Sequence, residues 1–252
     1  MLSIKNLRKS FNKGTENELL VFDGFDLEIE SGKITALLGA NGCGKSTLMA
    51  LISGSEMADE GNIFLDGEEI TVKKEFERAD RIAKVHQNSM LGVSPSLTIL
   101  ENMSLAEKKG GKMTLRQLVN RNKRAEFAKL LEPLQLNLEQ KLDVQTKFLS
   151  GGQRQAMSLV LTTLKKPDLL LLDEHTAALD PKTSRLIMEK TMVIAREQQI
   201  TTIMISHNLR DAIRYSDRLI MLHEGKIILD VLPSEISEQE LVQIFNRENQ
   251  IA

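Results

Sequence analysis

The chain has 252 residues, 41% hydrophobic and 27% charged, with a formal net charge of −2. That balance suits a packed globular core and excludes the marked basic excess of most nucleic-acid-binding domains, so no nucleic-acid partner is expected. A single cysteine, Cys43, excludes an intrachain disulfide. No apolar run reaches the roughly 20 residues that cross a bilayer. The opening MLSIKNLRKS lacks the apolar centre of a secretory signal. Any membrane role is expected to need a spanning partner.

In chain order, LSIKNLRKSF alternates like an edge strand, and FDGFDLEIESGK predicts a second short strand. KITALLGANGCGKSTLMALISG predicts a buried strand, a glycine-rich loop and an apolar helix closed by Gly54. GNIFLDGEEI predicts a strand with a turn at Asp66-Gly67, and RIAKVHQN another short strand. From about Leu97 to Leu164 the pattern turns helical, with SLTILENMSLAEKK capped at its start and TLRQLVNRNKRAEFAKLLEPL stopped by Pro133. Strand–helix alternation then resumes. LLLLD precedes a helix from about Pro181, TTIMIS precedes one through Tyr215, and RLIMLHEG with KIILD predicts a hairpin. Beyond Pro233 there is one short amphipathic helix at most. This alternation implies a parallel sheet with crossover helices, interrupted by a helical lobe.

GANGCGKST fits G-x-x-x-x-G-K-[ST] through Gly39, Gly44, Lys45 and Ser46, between a predicted strand and a predicted helix. Glycines let backbone amides curl around phosphate oxygens, and the helix N-terminus adds partial positive charge. Lys45 is placed to reach the β- and γ-phosphates, and the Ser46 hydroxyl to ligate Mg²⁺. In such a fold a later buried strand delivers an acid beside the phosphates. Asp173, directly after four leucines, suits that metal-side position, and Glu174 suits a general base that polarises the attacking water. LSGGQRQ adds a second small turn of amides and a hydroxyl before a helix. One nucleotide does not need two such loops from one chain.

With GANGCGKST, LSGGQ and LLLLDE in this order, the chain resembles the ATP-binding-cassette (ABC) ATPases over nearly its whole length. The resemblance implies an α/β fold: a RecA-like P-loop NTPase core with an N-terminal antiparallel β subdomain and an inserted α-helical subdomain. The ATPase domain would span 1–232, with its helical part at about 90–165 and a short helical tail at 233–252. The implied ATP contacts are Gly39, Asn41, Gly42, Cys43, Gly44, Lys45, Ser46 and Thr47 in the first motif and Ser150, Gly151, Gly152 and Gln153 in the signature. Gln87 resembles the glutamine that touches Mg²⁺ or water and senses the membrane partner. Asp180 ends a stretch resembling the D-loop, His207 resembles the switch histidine, and Phe11 falls where the family stacks an aromatic on adenine.

The implied mechanism pairs two copies head to tail, with ATP between the P-loop of one and the signature of the other. Hydrolysis would be coupled to transmembrane permease subunits at the cytoplasmic face of the membrane, one of whose helices would enter a groove near Gln87 to Leu105. DEHTAALDP and RLIMLHEGKIILD are similar to a bacterial branch associated with tryptophan/tyrosine-type amino-acid importers, which work with an extracytoplasmic solute-binding protein. An exporter remains the alternative; chromosome-type cassettes carry coiled coils and translation-type ones two cassettes, and neither pattern is present. His175 stands where most of the family has proline. Between Lys108 and Lys129 lie eight Lys/Arg and one Glu, either a solvated helical face or a surface for anionic lipid or an acidic partner.

Overall fold

The computed structural model describes residues 1–108, 119 and 121–249. Strands β1 (Leu2–Phe11) and β2 (Leu19–Ile29) lead to β3 (Ile34–Leu38) and helix α1 (Lys45–Ser53). Next come β4 (Glu60–Leu65), β5 (Glu68–Glu69), the single-turn α2 (Glu75–Arg78) and β6 (Ile82–Val85). The helical lobe holds α3 (Ile99–Glu107), α4 (Arg124–Leu131) and α5 (Gly151–Thr163). The chain closes with β7 (Leu169–Asp173), α6 (Pro181–Glu197), β8 (Thr201–Ile205), α7 (Leu209–Tyr215), β9 (Arg218–His223), β10 (Lys226–Val231) and α8 (Glu238–Asn249).

Two sheets form. One is antiparallel, in the order β2-β1-β4-β5, and the other runs β10-β9-β3-β8-β7-β6. In the second, β3, β6, β7, β8 and β9 are parallel, and β10 returns antiparallel from β9 through Glu224-Gly225, both with positive φ. The expected hairpin, P-loop core and N-terminal antiparallel sheet are all present. The strand β1 differs from expectation. It is not an edge strand but lies between β2 and β4. Its alternation reports a sheet with one face on the core and one in water, a pattern that central and edge antiparallel strands share. The second strand is also longer than FDGFDLEIESGK suggests, because β2 starts at Leu19 to pair with Phe11.

The run of four leucines in β7 is buried on both faces. Leu169 and Leu171 join an apolar cluster with α1 and the antiparallel sheet, whereas Leu170 and Leu172 join one with α6 and α8. A strand covered on both sides loses its alternation. A third cluster, including Ile99, Phe127, Leu131 and Met157, fills the helical lobe. Here the predicted cap is found: Thr98 Oγ1 accepts from the Glu101 amide (3.2 Å) and the Glu101 carboxylate accepts from the Thr98 amide (2.7 Å). Within the predicted second lobe helix, α4 covers Arg124–Leu131 after a 3-10 turn at Arg121–Lys123; residues 109–118 and 120 lie outside the described ones. Of the basic stretch, Lys123 pairs with Glu107, and Arg124 holds Asp143 through two bonds of 2.7 and 2.6 Å. Lys109, Lys112 and Arg116 of that stretch lie outside the described residues, so these pairs describe only its C-terminal part. The tail helix α8 packs on the core through the fully buried Leu241.

Candidate functional site

The P-loop leaves β3 at Leu38 and enters α1 at Lys45, so the first residue of that helix is the lysine itself. Gly39, Gly42 and Gly44 have φ of 141°, 84° and 107°, a backbone that L side chains rarely adopt. At Gly39 a Cβ would also lie 2.3 Å from the Leu222 carbonyl oxygen. Lys45 is buried, and its ammonium donates to the carbonyls of Gly39 (2.8 Å) and Ala40 (2.6 Å), beside Cys43 Sγ at 3.6 Å. The loop thus holds its cation inside its own curl. Cys43 is buried, Asn41, Gly42 and Ser46 are exposed, and Thr47 is half-buried.

Register delivers the acids. Leu37 pairs with Ile205, and Ile205 pairs with Asp173, so one row across β3, β8 and β7 sets Asp173 level with the base of the loop. Three neighbouring strands span about 10 Å. Glu174 has φ 46°, and its amide bonds to the Ile205 carbonyl at 3.3 Å. A non-glycine residue there is strained, and such strain concentrates at functional sites. Glu174 Oε1 lies 2.6 Å from His207 Nε2, so the two residues read from separate motifs meet. Asn208, next in sequence, caps α7 by accepting from the Arg210 and Asp211 amides. The Asn208 amide also donates to Ser206 Oγ (3.1 Å), so the backbone on either side of His207 is anchored.

Other predicted residues make contacts of their own. Gln87 is exposed just beyond β6. Phe11 ends β1 with the Lys9 ammonium 4.7 Å from its ring centroid. Asp180 caps α6, accepting from the Lys182 (3.2 Å) and Thr183 (3.1 Å) amides. Hydrogen bonds from Thr183, then Lys182, hold its carboxyl below the usual carboxylate range. Ser150 caps α5 in a reciprocal pair with Gln153, at 3.2 and 3.1 Å. The preceding Leu149 belongs to the helical-lobe cluster, whereas Cys43 and Leu48 belong to that of the antiparallel sheet. The two amide turns are thus carried by different lobes.

The signature glycines differ in kind. At Gly152 a Cβ would meet Thr183 Cγ2 at 2.4 Å, whereas at Gly151 the nearest atom is Leu179 Cδ2 at 3.8 Å. Gly152 lets α5 approach α6; among the described residues Gly151 has no steric partner of that kind. Gly152→Ala is expected to destabilise by about 1–3 kcal/mol through overpacking. Gly151→Ala is expected to keep the melting temperature or raise it slightly, since alanine restricts the unfolded chain. Were two copies to pair through this turn, the same alanine should weaken that pairing on a sizing column. Thermal melts that rank the two variants the other way would refute this distinction.

His175 resolves into a buried structural contact. Thr191 Oγ1 donates to the Ile187 carbonyl (2.8 Å), so it accepts from His175 Nε2 (3.2 Å), and the buried Nδ1 has no hydrogen-bond partner among the described residues. Burial pushes the imidazole pKa down to about 4. The unfolded chain takes up this proton near 6.5, whereas the folded chain refuses it until about 4. Stability should therefore fall as pH drops from 6.5 to 4 and level off below, by no more than about 3 kcal/mol. In His175→Asn the slope of melting temperature against pH over that window should flatten; an unchanged slope would assign it to other groups.

Two residues escaped the sequence reading. Lys84, in β6, reaches Asp173 Oδ2 at 3.4 Å. His86 is half-buried, and burial, reinforced by Lys84, lowers its pKa against the opposing pull of Asp173. The available signal was a lysine inside the otherwise apolar strand IAKV.

A P-loop strand and helix, an acid pair at the same edge of the parallel sheet and a second amide turn on an inserted helical lobe define a nucleotide-hydrolysing cassette. The family model described as ABC transporter matches residues 22–177. The chain belongs to the ABC transporter family, as an ATP-binding, ATP-hydrolysing domain. It is 44% identical over 248 residues to a tyrosine transport ATP-binding protein of Clostridioides difficile, covering 97% of this chain and 98% of that one. It is 33% identical to the spermidine/putrescine import ATP-binding protein PotA of Haemophilus influenzae, covering 94% of this chain but 59% of PotA. Among solved structures, the dimeric post-hydrolysis cassette MJ0796 bound to ADP and Pi matches with a TM-score of 0.77 at 27% identity, covering 92% of this chain and 99% of that one. CbiO1 of Clostridium perfringens, part of the ABC transporter complex cbiONQ, matches at 0.78 and 27%, covering 97% and 94%.

Proposed function

We propose that this ABC ATPase powers an importer of a small solute of the aromatic amino-acid class, working as a pair of identical copies bound to permease subunits. The observation that carries the substrate class is the 44% identity, end to end, with a tyrosine transport ATP-binding protein. Support for the paired state is geometric. Two amide turns lie on different lobes, and Gly151 is kept bare without a close contact among the described residues. A glycine at a helix start serves close approach from outside. The dimeric MJ0796 cassette is consistent with this arrangement.

In this reading the amides of Gly42 to Thr47 and the Lys45 ammonium cradle the phosphates of ATP. Asn41 and Cys43 line the loop, and Phe11 presents to adenine the ring face opposite Lys9. Ser150, Gly151, Gly152 and Gln153 of the second copy close over the γ-phosphate, with Asp180 at the contact between copies. Glu174 takes the proton of the attacking water, and His207 orients Glu174 and donates to the γ-phosphate.

Among the described residues no cluster of three His, Cys, Asp or Glu could form an all-protein metal cage. One carboxylate, Asp173, with the Ser46 hydroxyl and Gln87, fits Mg²⁺, which keeps several waters and shares its shell with phosphates. When bound, Mg²⁺ would offset charge on the β- and γ-phosphates.

Among the described residues no helix is long and apolar enough to cross a membrane. Attachment at the cytoplasmic face would therefore run through the permease, with a solute-binding protein delivering the cargo. We place the ATPase domain at 1–232, with its helical part at about 90–165 and a tail beyond.

The test is uptake of labelled tyrosine by cells lacking this chain. Uptake should fall to background and return with the wild-type chain but not with Glu174→Gln. Undiminished tyrosine uptake in the deletion would overturn the substrate class.

A further inference from the structure

Strand β6 reads Ile-Ala-Lys-Val, and Lys84 is its one charged residue. Parallel pairing sets Lys84 beside Leu171, two residues before Asp173. Side chains two apart in a strand share a face, so Lys84, Leu171 and Asp173 all lie on the face that packs against α1. The lysine stem bridges the remaining stagger and brings Nζ to 3.4 Å from Asp173 Oδ2. Both side chains are about one-fifth exposed, at 19% and 21%. Among the described residues Lys84 is the only cation within ion-pair range of Asp173.

A carboxylate at the end of so apolar a strand is costly to leave unpaired. The lysine meets that cost without metal. It also holds a positive charge where a divalent cation would have to approach the same oxygens, and Mg²⁺ gains protein contacts from only one or two carboxylates. We infer that Lys84 is a resident counter-ion of Asp173 that makes divalent-cation binding conditional on nucleotide. Before ATP arrives, Lys84 satisfies Asp173 and repels the dication. Once phosphates lie in the P-loop, their negative charge offsets the ammonium and the cation can share Asp173 with them. Lys84 is thus a positioning residue that couples the two binding events. The inference rests on the proposed role of Asp173 as the metal-side acid.

Mn²⁺ binding, followed by electron paramagnetic resonance with and without a non-hydrolysable ATP analogue, tests it. Lys84→Met should bind Mn²⁺ about tenfold tighter without nucleotide, the order expected for one unit charge acting on a dication a few ångströms away in high dielectric. The gain in Mn²⁺ affinity on adding nucleotide should shrink accordingly, and Lys84→Arg should behave as the wild type. Lys84→Gln provides the same comparison should the methionine variant fold poorly. Mn²⁺ affinities within twofold of wild type in both conditions, or weaker without nucleotide, would overturn the inference. Asp173→Asn separates the two layers. If it leaves nucleotide-dependent Mn²⁺ binding intact, the role of Asp173 fails; if it abolishes that binding while Lys84→Met is silent, only the role of Lys84 fails.

Discussion

Glu174→Gln is expected to lower ATP turnover by 10²-fold or more while nucleotide affinity stays within a few-fold of wild type. The substitution conserves size and the ability to bond His207, which lies 2.6 Å from the carboxylate in the native chain. What it removes is the basic lone pair, and general-base catalysis contributes roughly 10²–10⁴-fold. The φ of 46° at Glu174 and the anchored backbone around His207 aim that carboxylate, and a glutamine inherits the aim. Since hydrolysis is what would release the paired copies, the variant should also accumulate as an ATP-bound dimer. Phosphate release, fluorescent-nucleotide titration and light scattering measure the three quantities separately. Turnover within tenfold of wild type would remove Glu174 from the role of base. Loss of nucleotide binding would show instead that the carboxylate holds the site together.

The largest effect on stability is expected at a residue with no part in the chemistry. Arg78, in the single-turn α2, is 2% exposed and donates to the carbonyls of Leu51 (2.7 Å), Ile52 (2.8 Å), Thr71 (2.9 Å) and Lys73 (2.7 Å). Leu51 and Ile52 belong to the last turn of α1, whose carbonyls have no partner within the helix, and the negative end of the helix dipole favours a cation there. Burial lowers the guanidinium pKa, yet arginine stays charged at any physiological pH. Arg78→Met would leave four carbonyls to find new partners in a dry site. The expected cost is about 3–5 kcal/mol, or a melting temperature lower by about 10 °C. Lysine should not rescue, because a single ammonium cannot replace a planar fork that reaches four acceptors. Calorimetry decides the point, and a shift under 2 °C would mean that water takes over these carbonyls.

Much of the molecule was legible in the sequence because it is local. The strand–loop–helix around GANGCGKST, the Thr98–Glu101 cap and the hairpin at Glu224-Gly225 are each specified by residues only a few positions apart. The four leucines of β7 read by themselves equally well as a buried strand or as part of a core helix, and it was the glycine-rich loop elsewhere in the chain that selected the strand. Other features escaped because alternation reports a face and not a neighbour. The inner position of β1 is one case, and the reach of Lys84 to Asp173 from the adjacent strand is another.

The glycine-rich loop, the lysine, the acid pair and the order of the motifs follow from sequence alone, and with them the family and its ATP chemistry. Those features depend on backbone freedom and residue type within short segments, which a linear chain displays. Folding decided which side chains share a space: Glu174 with His207, His175 with Thr191, Gly152 with Thr183, Lys84 with Asp173 and Arg78 with the end of α1. Apart from His175 and Thr191, 16 residues apart, these partners are 26 to 89 residues apart in the chain or meet through strand register. Register is set by how whole faces bury against each other, and no short stretch carries that information.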